Sequence, residues 1–282
     1  MASELAAIAE EQGLERLSAV PPAGAYLREM WRRRHYAWKV PVGDWRSAHF
    51  DTLLGNLWHL LNPIFFIGVY FLVFGVLLGT RRNIDFFITY LAIGVFFFRY
   101  TQTAMETGAI SVSGNEGLIR SVYFPRALLP LSSVIYQTLV FLPSLAVIVV
   151  VALLNGVRPQ FTWLLVPLLI VWQGLFNFGG ACVTARITDR FRDFPQLLNH
   201  FFRALFYLSA PMYSINQLVQ NEQARKFFHL NPVYAFLTMG RALFFGTSVS
   251  TADLVSALVW TGALVAGGFV FFRAAEPSYG RG

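Results

Sequence analysis

Residues 131–154 read LSSVIYQTLVFLPSLAVIVVVALL, and none of these 24 side chains is charged. About 20 mostly apolar helical residues cross the hydrocarbon core of a bilayer, so this stretch predicts a membrane-spanning helix. Pro143 lies inside it, which membrane helices tolerate where neighbouring groups satisfy the freed carbonyl. The whole chain agrees with this environment, because 56% of its 282 residues are hydrophobic and 13% are charged, against about 25% charged in soluble domains.

Six stretches of the chain are long and apolar enough to be spans. They are predicted at residues 60–78, 86–107, 131–154, 163–185, 197–213 and 254–272. The segments on the side of the N-terminus, with Arg203 near the start of the fifth span counted among them, carry 15 of the 22 lysines and arginines. The opposite segments carry 6, and Arg99 lies within the second span. Because positive charge is retained on the cytoplasmic side, the predicted fold is an all-α integral membrane protein with six transmembrane helices and both termini in the cytoplasm.

Two further apolar segments do not fit simple loops. Between Trp45 and Trp58, apolar side chains recur at helical spacing and predict an amphipathic helix in the inner membrane interface; they are Phe50, Leu53, Leu54 and Leu57. Residues 214–250 are rich in aromatic side chains and are broken at Asn231-Pro232. They predict a pair of short re-entrant helices in the outer leaflet, between the fifth and sixth spans.

The ends of the chain and its single cysteine complete the predicted organisation. Residues 1–20 carry four glutamates and no continuous apolar core, so they are not a signal peptide. We assign residues 1–43 to a cytoplasmic tail and residues 44–282 to the membrane domain. Cys182 is the only cysteine, which excludes a disulfide framework and a cysteine metal site; we interpret it as a buried apolar side chain.

Several kinds of chemistry are excluded by missing motifs. The chain has no G-x-x-x-x-G-K-[ST] loop for nucleotide phosphates, no H-E-x-x-H metal pair and no G-x-S-x-G nucleophile. We therefore expect no catalytic residue and no cofactor bound to this chain. The net charge of +7 is typical of contact with anionic headgroups, and it is weak evidence for nucleic acid.

Two pairs of charged residues raise alternatives. Asp189 and Asp193 are four residues apart, so on one helical face they could hold Mg²⁺ against a diphosphate, as in a membrane prenyl- or glycosyltransferase. Arg190 and Arg192 also favour a solvated ion-pair loop. Arg99 and Glu106 lie inside the second predicted span. Charges at that depth cost about 2.5–3.5 kcal/mol, so they pair with neighbours or face water, and a substrate contact is the alternative to a structural pair.

Four blocks of sequence resemble a known family, the permease subunits of type-2 ABC exporters of O-antigen, teichoic acid and related glycans. The blocks are LLGNLWHLLNP (53–63), GLIRSVYFPR (117–126) with LPLS (129–132), RDFPQ (192–196) with LSAPMY (208–213), and LNP (230–232) with Arg241. The long basic N-terminal tail is similar to that of actinobacterial members that export lipid-linked galactan. One departure is Ser121, which follows Arg120 where the family often has a second base.

The resemblance implies a division of labour between subunits. A separate ATPase subunit would bind ATP and Mg²⁺, and residues 114–126 would be the coupling helix that rests on it. The implied contacts comprise charged residues and an apolar anchor, namely Glu116, Arg120 and Arg126, with Leu118, Ile119, Tyr123 and Phe124.

The resemblance also implies a homodimer in the bacterial plasma membrane, with the path for a polyprenyl-diphosphate-linked polysaccharide between the two copies. The first and fifth spans would form its walls, and the candidate lining residues are Phe65, Tyr70, Phe202, Phe206 and Tyr213. A small-lipid or drug cargo is the remaining alternative for the same architecture.

Overall fold

The structure is a computed structural model and describes residues 21–48, 54–77, 79, 84–122, 124–215 and 221–279. These residues form helices joined by short loops. The helices are α1 (Ala23–Arg32), α2 (Arg34–Ser47), α3 (Trp58–Tyr70), α4 (Phe87–Ala109), α5 (Glu116–Ser121), α6 (Leu128–Leu154), α7 (Val166–Arg190), α8 (Phe194–Leu208), α9 (Glu222–His229), α10 (Pro232–Phe245), α11 (Thr251–Ala263) and α12 (Phe269–Ala274). A π-helical segment, Phe71–Leu77, extends α3, and another, Leu264–Gly268, joins α11 to α12.

Four helical stretches of the described chain have the length and composition needed to cross a bilayer. They are Trp58–Leu77, Leu128–Leu154, Phe161–Arg190 and Thr251–Ala274. These stretches agree closely with the first, third, fourth and sixth predicted spans, so an all-α membrane protein is confirmed. Cys182 is buried and unbridged, as the sequence indicates.

The second and fifth predicted spans differ from these four. α4 is a helix of 23 residues, but its second half carries Arg99, Gln102 and Glu106, which lower its apolar content. α8 has 15 residues and ends at Leu208, so the predicted span that continued to residue 213 is too long. The chain turns there because Ala210 has a φ of 48°, which a helix cannot accommodate. The count of six spans stays a prediction.

The N-terminal side also differs from the prediction. α2 ends at Ser47 and a turn with a φ of 48° at Gly55 precedes α3, so the predicted interfacial helix does not run unbroken to Trp58, and its place in the membrane interface stays a prediction. The rings of Trp45 in α2 and His59 in α3 stack at 4.7 Å. Phe50 and Leu53 lie outside the described residues, as do residues 1–20, while the rest of the predicted tail forms α1 and most of α2.

The predicted pair of helices after α8 is present as α9 and α10. Asn231 begins α10, because its side-chain oxygen accepts hydrogen bonds from the backbone N–H groups of Val233 and Tyr234 at 3.0 and 3.4 Å. Most of α10 is buried against α4, α7 and α11. Its depth in a membrane stays a prediction.

α4 lies at the centre of the bundle and packs on α6 and α7. Small residues allow the close approach to α7: a Cβ added to Gly108 would lie 2.5 Å from the Cβ of Ala181. Gln173 of α7 donates to the carbonyl of Phe97 at 2.9 Å and to the hydroxyl of Thr101 at 2.8 Å. Small residues and buried polar contacts are the usual means of packing helices in membranes, where lipid removes the hydrophobic drive.

Close contacts between small residues also hold the last candidate span, Thr251–Ala274, against α7. A Cβ on Gly268 would lie 2.5 Å from the backbone oxygen of Gly179, and a Cβ on Gly179 would lie 2.4 Å from the backbone carbon of Leu264. The neighbouring Gly267 faces open space.

These two adjacent glycines give a matched test of the packing. We expect Gly268→Ala to destabilise the detergent-solubilised protein by about 1–3 kcal/mol, because backbone atoms must shift to admit the methyl group. That corresponds to a fall of roughly 2–10 °C in melting temperature. Gly267→Ala adds the same methyl group without a clash and gains helix propensity, so its melting temperature should not fall. Equal melting temperatures for the two variants would contradict the close packing of Gly268 against α7.

Candidate functional site

The segment after α4 forms a short surface helix, α5, with an ion cluster beside it. Glu116 lies between two arginines, at 3.4 Å from both the Arg120 and the Arg192 guanidinium nitrogens. Both arginines are exposed, so each pair contributes at most about 1 kcal/mol to stability. The cluster instead orients charged groups at the surface, and it joins α5 to the loop between α7 and α8.

The apolar residues of this segment have two different orientations. Ile119 and Phe124 are buried, and the Phe124 ring lies 5.8 Å from that of Tyr36 in α2. They fasten the segment to the body of the protein, while Leu118 is half-buried. Val122 is 51% exposed and was missed in the sequence analysis. Tyr123 lies outside the described residues.

Arg126 ties the coupling segment to the C-terminal part of the chain. Its guanidinium donates to the backbone oxygens of Glu276 and Tyr279, the latter at 2.9 Å. Its backbone N–H donates to the Glu276 carboxylate at 2.9 Å, and the next N–H, of Ala127, donates to the Tyr26 hydroxyl at 3.1 Å. These contacts join residues 101 to 153 positions apart, so no local motif indicates them.

Glu276 is the buried acid of this junction. One carboxylate oxygen accepts from Arg126, and the other is buried without a hydrogen-bond partner among the described residues. Burial raises the pKa of the Glu276 carboxyl above its ordinary value of 4.5, although hydrogen bonding to Arg126 and Tyr26 and the charges of Arg126 and Arg273 oppose the shift. The folded protein therefore holds a proton on Glu276 more readily than the unfolded chain does.

The raised pKa predicts how stability depends on pH. Glu276 is protonated more easily when folded, so its contribution to stability is present below pH 4.5 and is lost as the pH rises through the folded pKa. Gln cannot titrate, so Glu276→Gln should gain melting temperature relative to the wild type as the pH rises above 4.5.

Glu29→Gln is the control for this titration. A hydrogen bond from Arg33 lowers the pKa of the Glu29 carboxyl, so the contribution of Glu29 is lost at low pH instead. Its variant should not show a gain as the pH rises. A melting-temperature difference between Glu276→Gln and the wild type that is the same below pH 4.5 and above it would contradict the raised pKa.

The candidate path residues on α3 and α8 separate into surface and core. Phe65 is exposed on α3, and Tyr70 is half-buried with its ring 6.3 Å from that of Phe206 on α8. Phe206 also packs edge-on to Phe98 at 4.9 Å. Phe202 is only 1% exposed and belongs to the core. It faces α4 and lines an apolar cavity shared with α7 and the helices that follow α8, so its place in the path stays a prediction.

The two intramembrane charges lie on one side of α4 and do not pair with each other. Arg99 is exposed, and its guanidinium lies 4.3 Å from the centre of the Phe66 ring on α3. Glu106 is half-buried and accepts a hydrogen bond from Gln102 at 2.9 Å. α3 and α4 together therefore present aromatic rings and a cation on the outside of the subunit.

Arg241 fixes the turn that ends α8. It is buried, and its guanidinium lies 3.5 Å from the centre of the Tyr90 ring. It donates to the backbone oxygens of Ala210 and Pro211 at 3.2 and 2.7 Å. The hydroxyl of Tyr90 donates to the backbone oxygen of Tyr213 at 2.9 Å. In the sequence, Arg241 is indicated by the family resemblance alone.

Replacing Arg241 tests whether it holds this turn. Arg241→Met leaves two buried carbonyls without their donor and removes the stacking on Tyr90, so we expect a loss of about 2–4 kcal/mol in stability. Arg241→Lys keeps the charge but not the planar fork, and it should lie between the wild type and Arg241→Met.

The matched control is Arg158→Met, which removes an exposed arginine. Its melting temperature should stay within about a degree of the wild type, since exposed substitutions usually change stability by less than 0.5 kcal/mol. An unchanged melting temperature for Arg241→Met would overturn the role given to Arg241.

Asp189 and Asp193 lie at the junction of α7 and α8. Asp189 is half-buried near the end of α7, with Glu116, Arg126 and Arg192 as charged neighbours, and Asp193 is exposed. No group of three or more histidine, cysteine or acidic side chains suited to a metal occurs in the described part of the chain. Asp189 therefore lies among the charged residues beside α5.

Residues 43–245 match the sequence family described as ABC-2 type transporter. Because this match covers more than half of the chain, the protein belongs to the ABC-2 type transporter family. It is therefore a multi-pass membrane subunit of a transporter, and its resemblance to the permeases of this class is confirmed.

Among individual proteins, the chain is similar to two O-antigen export system permease proteins RfbA. The Klebsiella pneumoniae protein is 26% identical over 223 residues, which cover 79% of this chain and 84% of that protein. The Myxococcus xanthus protein is 27% identical over 233 residues, which cover 82% of this chain and 88% of that protein.

Proposed function

We propose that this chain is the permease of an ATP-driven exporter of lipid-linked polysaccharide, and that two copies enclose the path. The observation that carries the proposal is the exposed Arg99 on the outside of α4, beside Phe66 and Tyr70 of α3. A cation near the middle of a 23-residue helix is costly against lipid. A second subunit and a water-filled path between the copies would remove that cost.

The chemistry of this surface suits a polymer of sugars. Phe65, Phe66 and Tyr70 offer ring faces, which contact the C–H faces of sugars without demanding one fixed hydrogen-bond geometry. Weak repeated contacts let a long chain move, whereas a tight pocket would hold it. The names of the two similar proteins support a polysaccharide cargo. A polyprenyl-diphosphate carrier and a galactan, O-antigen or teichoic acid type of glycan are proposed from the motif resemblance.

The energy source in this proposal is a separate ABC ATPase subunit that binds ATP and Mg²⁺. The surface of α5, with Glu116, Arg120 and Leu118, is its proposed contact. This surface would be supported from its inner side by Arg126, Ile119 and Phe124, since these residues fasten the segment to the rest of the protein. Tyr123 keeps its proposed role from the motif resemblance.

The membrane arrangement follows from the same proposal. α4 and α8 complete six spans with the four long helices, and the α5 surface and both termini face the cytoplasm of a bacterial cell. Residues 44–282 form the membrane domain, and α9 with α10 re-enters the outer leaflet. Tyr213 lies beside the turn held by Arg241, near the proposed outer end of the path.

The proposal is tested in cells in which the chromosomal copy of this permease is depleted. Depletion should cause lipid-linked glycan to accumulate on the cytoplasmic side, measured by extraction of the lipid fraction and analysis of its sugars. Wild-type protein should restore export. Arg99→Leu should reduce export by about fivefold or more, since a lost charge contact of about 1 kcal/mol changes a rate by that factor.

Two controls make the test specific. Arg99→Lys keeps a cation on the path surface and should retain most of the export, and Arg158→Leu removes an exposed arginine elsewhere. Full export by Arg99→Leu would contradict the position of the path. Depletion without any accumulating glycan would contradict the proposed cargo.

A further inference from the structure

A groove of about 480 Å³ lies between the two N-terminal helices and the coupling segment. Its floor is apolar and includes Leu118, Val122 and Phe124 from the segment around α5. Tyr36 of α2 forms one wall, and its ring packs at 5.8 Å from that of Phe124. The groove is therefore partly built from the segment that the proposed function assigns to the ATPase contact.

The rim of this groove is basic. Arg32, Arg33 and His35 lie along it. Across residues 21–48 there are six arginines and lysines against two acids, Glu29 and Asp44. A partner with complementary charge would be attracted to this rim, and its association would weaken as salt is added.

The position of Glu29 decides which anionic partner fits. Glu29 pairs with the Arg33 guanidinium at 2.6 Å and with that of Arg32 at 3.0 Å. The two guanidiniums nearest the groove are thus held together by a carboxylate, and they do not converge on an empty position for a phosphate. Their outer faces remain able to contact further carboxylates, while the apolar floor requires an apolar side chain.

We propose that this groove is a second docking site for the partner ATPase, and that it takes an apolar side chain from an acidic segment of that subunit. The inference rests on the proposed function, because it needs an ATPase partner. An occupant would touch Val122 and Arg32 at once. It would therefore join α1 and α2 to the coupling segment, so that these elements respond to the ATPase as one unit.

The experiment uses the full-length permease co-expressed with its ATPase and captured through a tag on the permease. Val122→Glu places a carboxylate at the floor, and Arg32→Glu reverses one charge of the rim. Both should reduce the recovered ATPase by fivefold or more at moderate salt. Lys39→Glu is the matched control, because Lys39 is exposed on α2 and does not line the groove. It should recover as much ATPase as the wild type.

Melting temperature and elution volume of each variant show whether it is folded. Equal recovery by folded Val122→Glu, Arg32→Glu and wild-type protein would overturn the docking site.

Two results together would assign the basic rim to lipid and overturn the proposal. Lys39→Glu would lose as much ATPase recovery as Arg32→Glu, and both of these charge variants would bind phosphatidylglycerol vesicles more weakly than the wild type. If wild-type permease recovers no ATPase, the proposed function itself fails. That result differs from a failure of the groove alone, in which wild-type recovery is intact.

Discussion

The close contact between α4 and α7 is the constraint on which the other helices depend. Gly108 meets Ala181 where an added Cβ would lie 2.5 Å away, and Gln173 joins the two helices through buried hydrogen bonds at 2.8 and 2.9 Å. In lipid, such contacts replace the hydrophobic drive that packs helices in water. Once α4 is held against α7 and α6, its first half is enclosed by protein, so its polar second half is the part that reaches the subunit surface.

That arrangement explains why a helix with two charges can belong to a membrane protein. The guanidinium of Arg99 rests over the Phe66 ring at 4.3 Å, and Glu106 is hydrogen-bonded by Gln102. Arg99 and Glu106 form no salt bridge with each other. A surface of this kind is unstable against hydrocarbon and stable against water. The same physical requirement therefore supports both the dimer and the path in the proposed function.

The sequence predicts the long helices well because an uncharged run of residues is a local property. The end of α8 could not be predicted, because the turn at Ala210 is held by Arg241, which is 31 residues away. The buried position of Phe202 could not be predicted for a related reason: α8 is aromatic on several faces, so spacing alone does not distinguish the face toward Phe98 from an exposed face. The hydrogen bonds of Arg126 to Glu276 and Tyr279 could not be predicted either. They join distant positions, and the guanidinium donates to backbone oxygens, which no sequence motif indicates.

The contacts behind α5 form one continuous series that reaches the proposed path. Arg126 is bonded to Glu276 and Tyr279, and the Tyr279 hydroxyl donates to the backbone oxygen of Phe272 in α12 at 2.9 Å. Gly268, which directly precedes α12, lies against α7. α7 is in turn packed against α4. The links are hydrogen bonds, half-buried at Arg126 and buried at Tyr279, and close backbone contacts at Gly268. A displacement of the segment around α5 must therefore either break these bonds or carry the C-terminal turn with it.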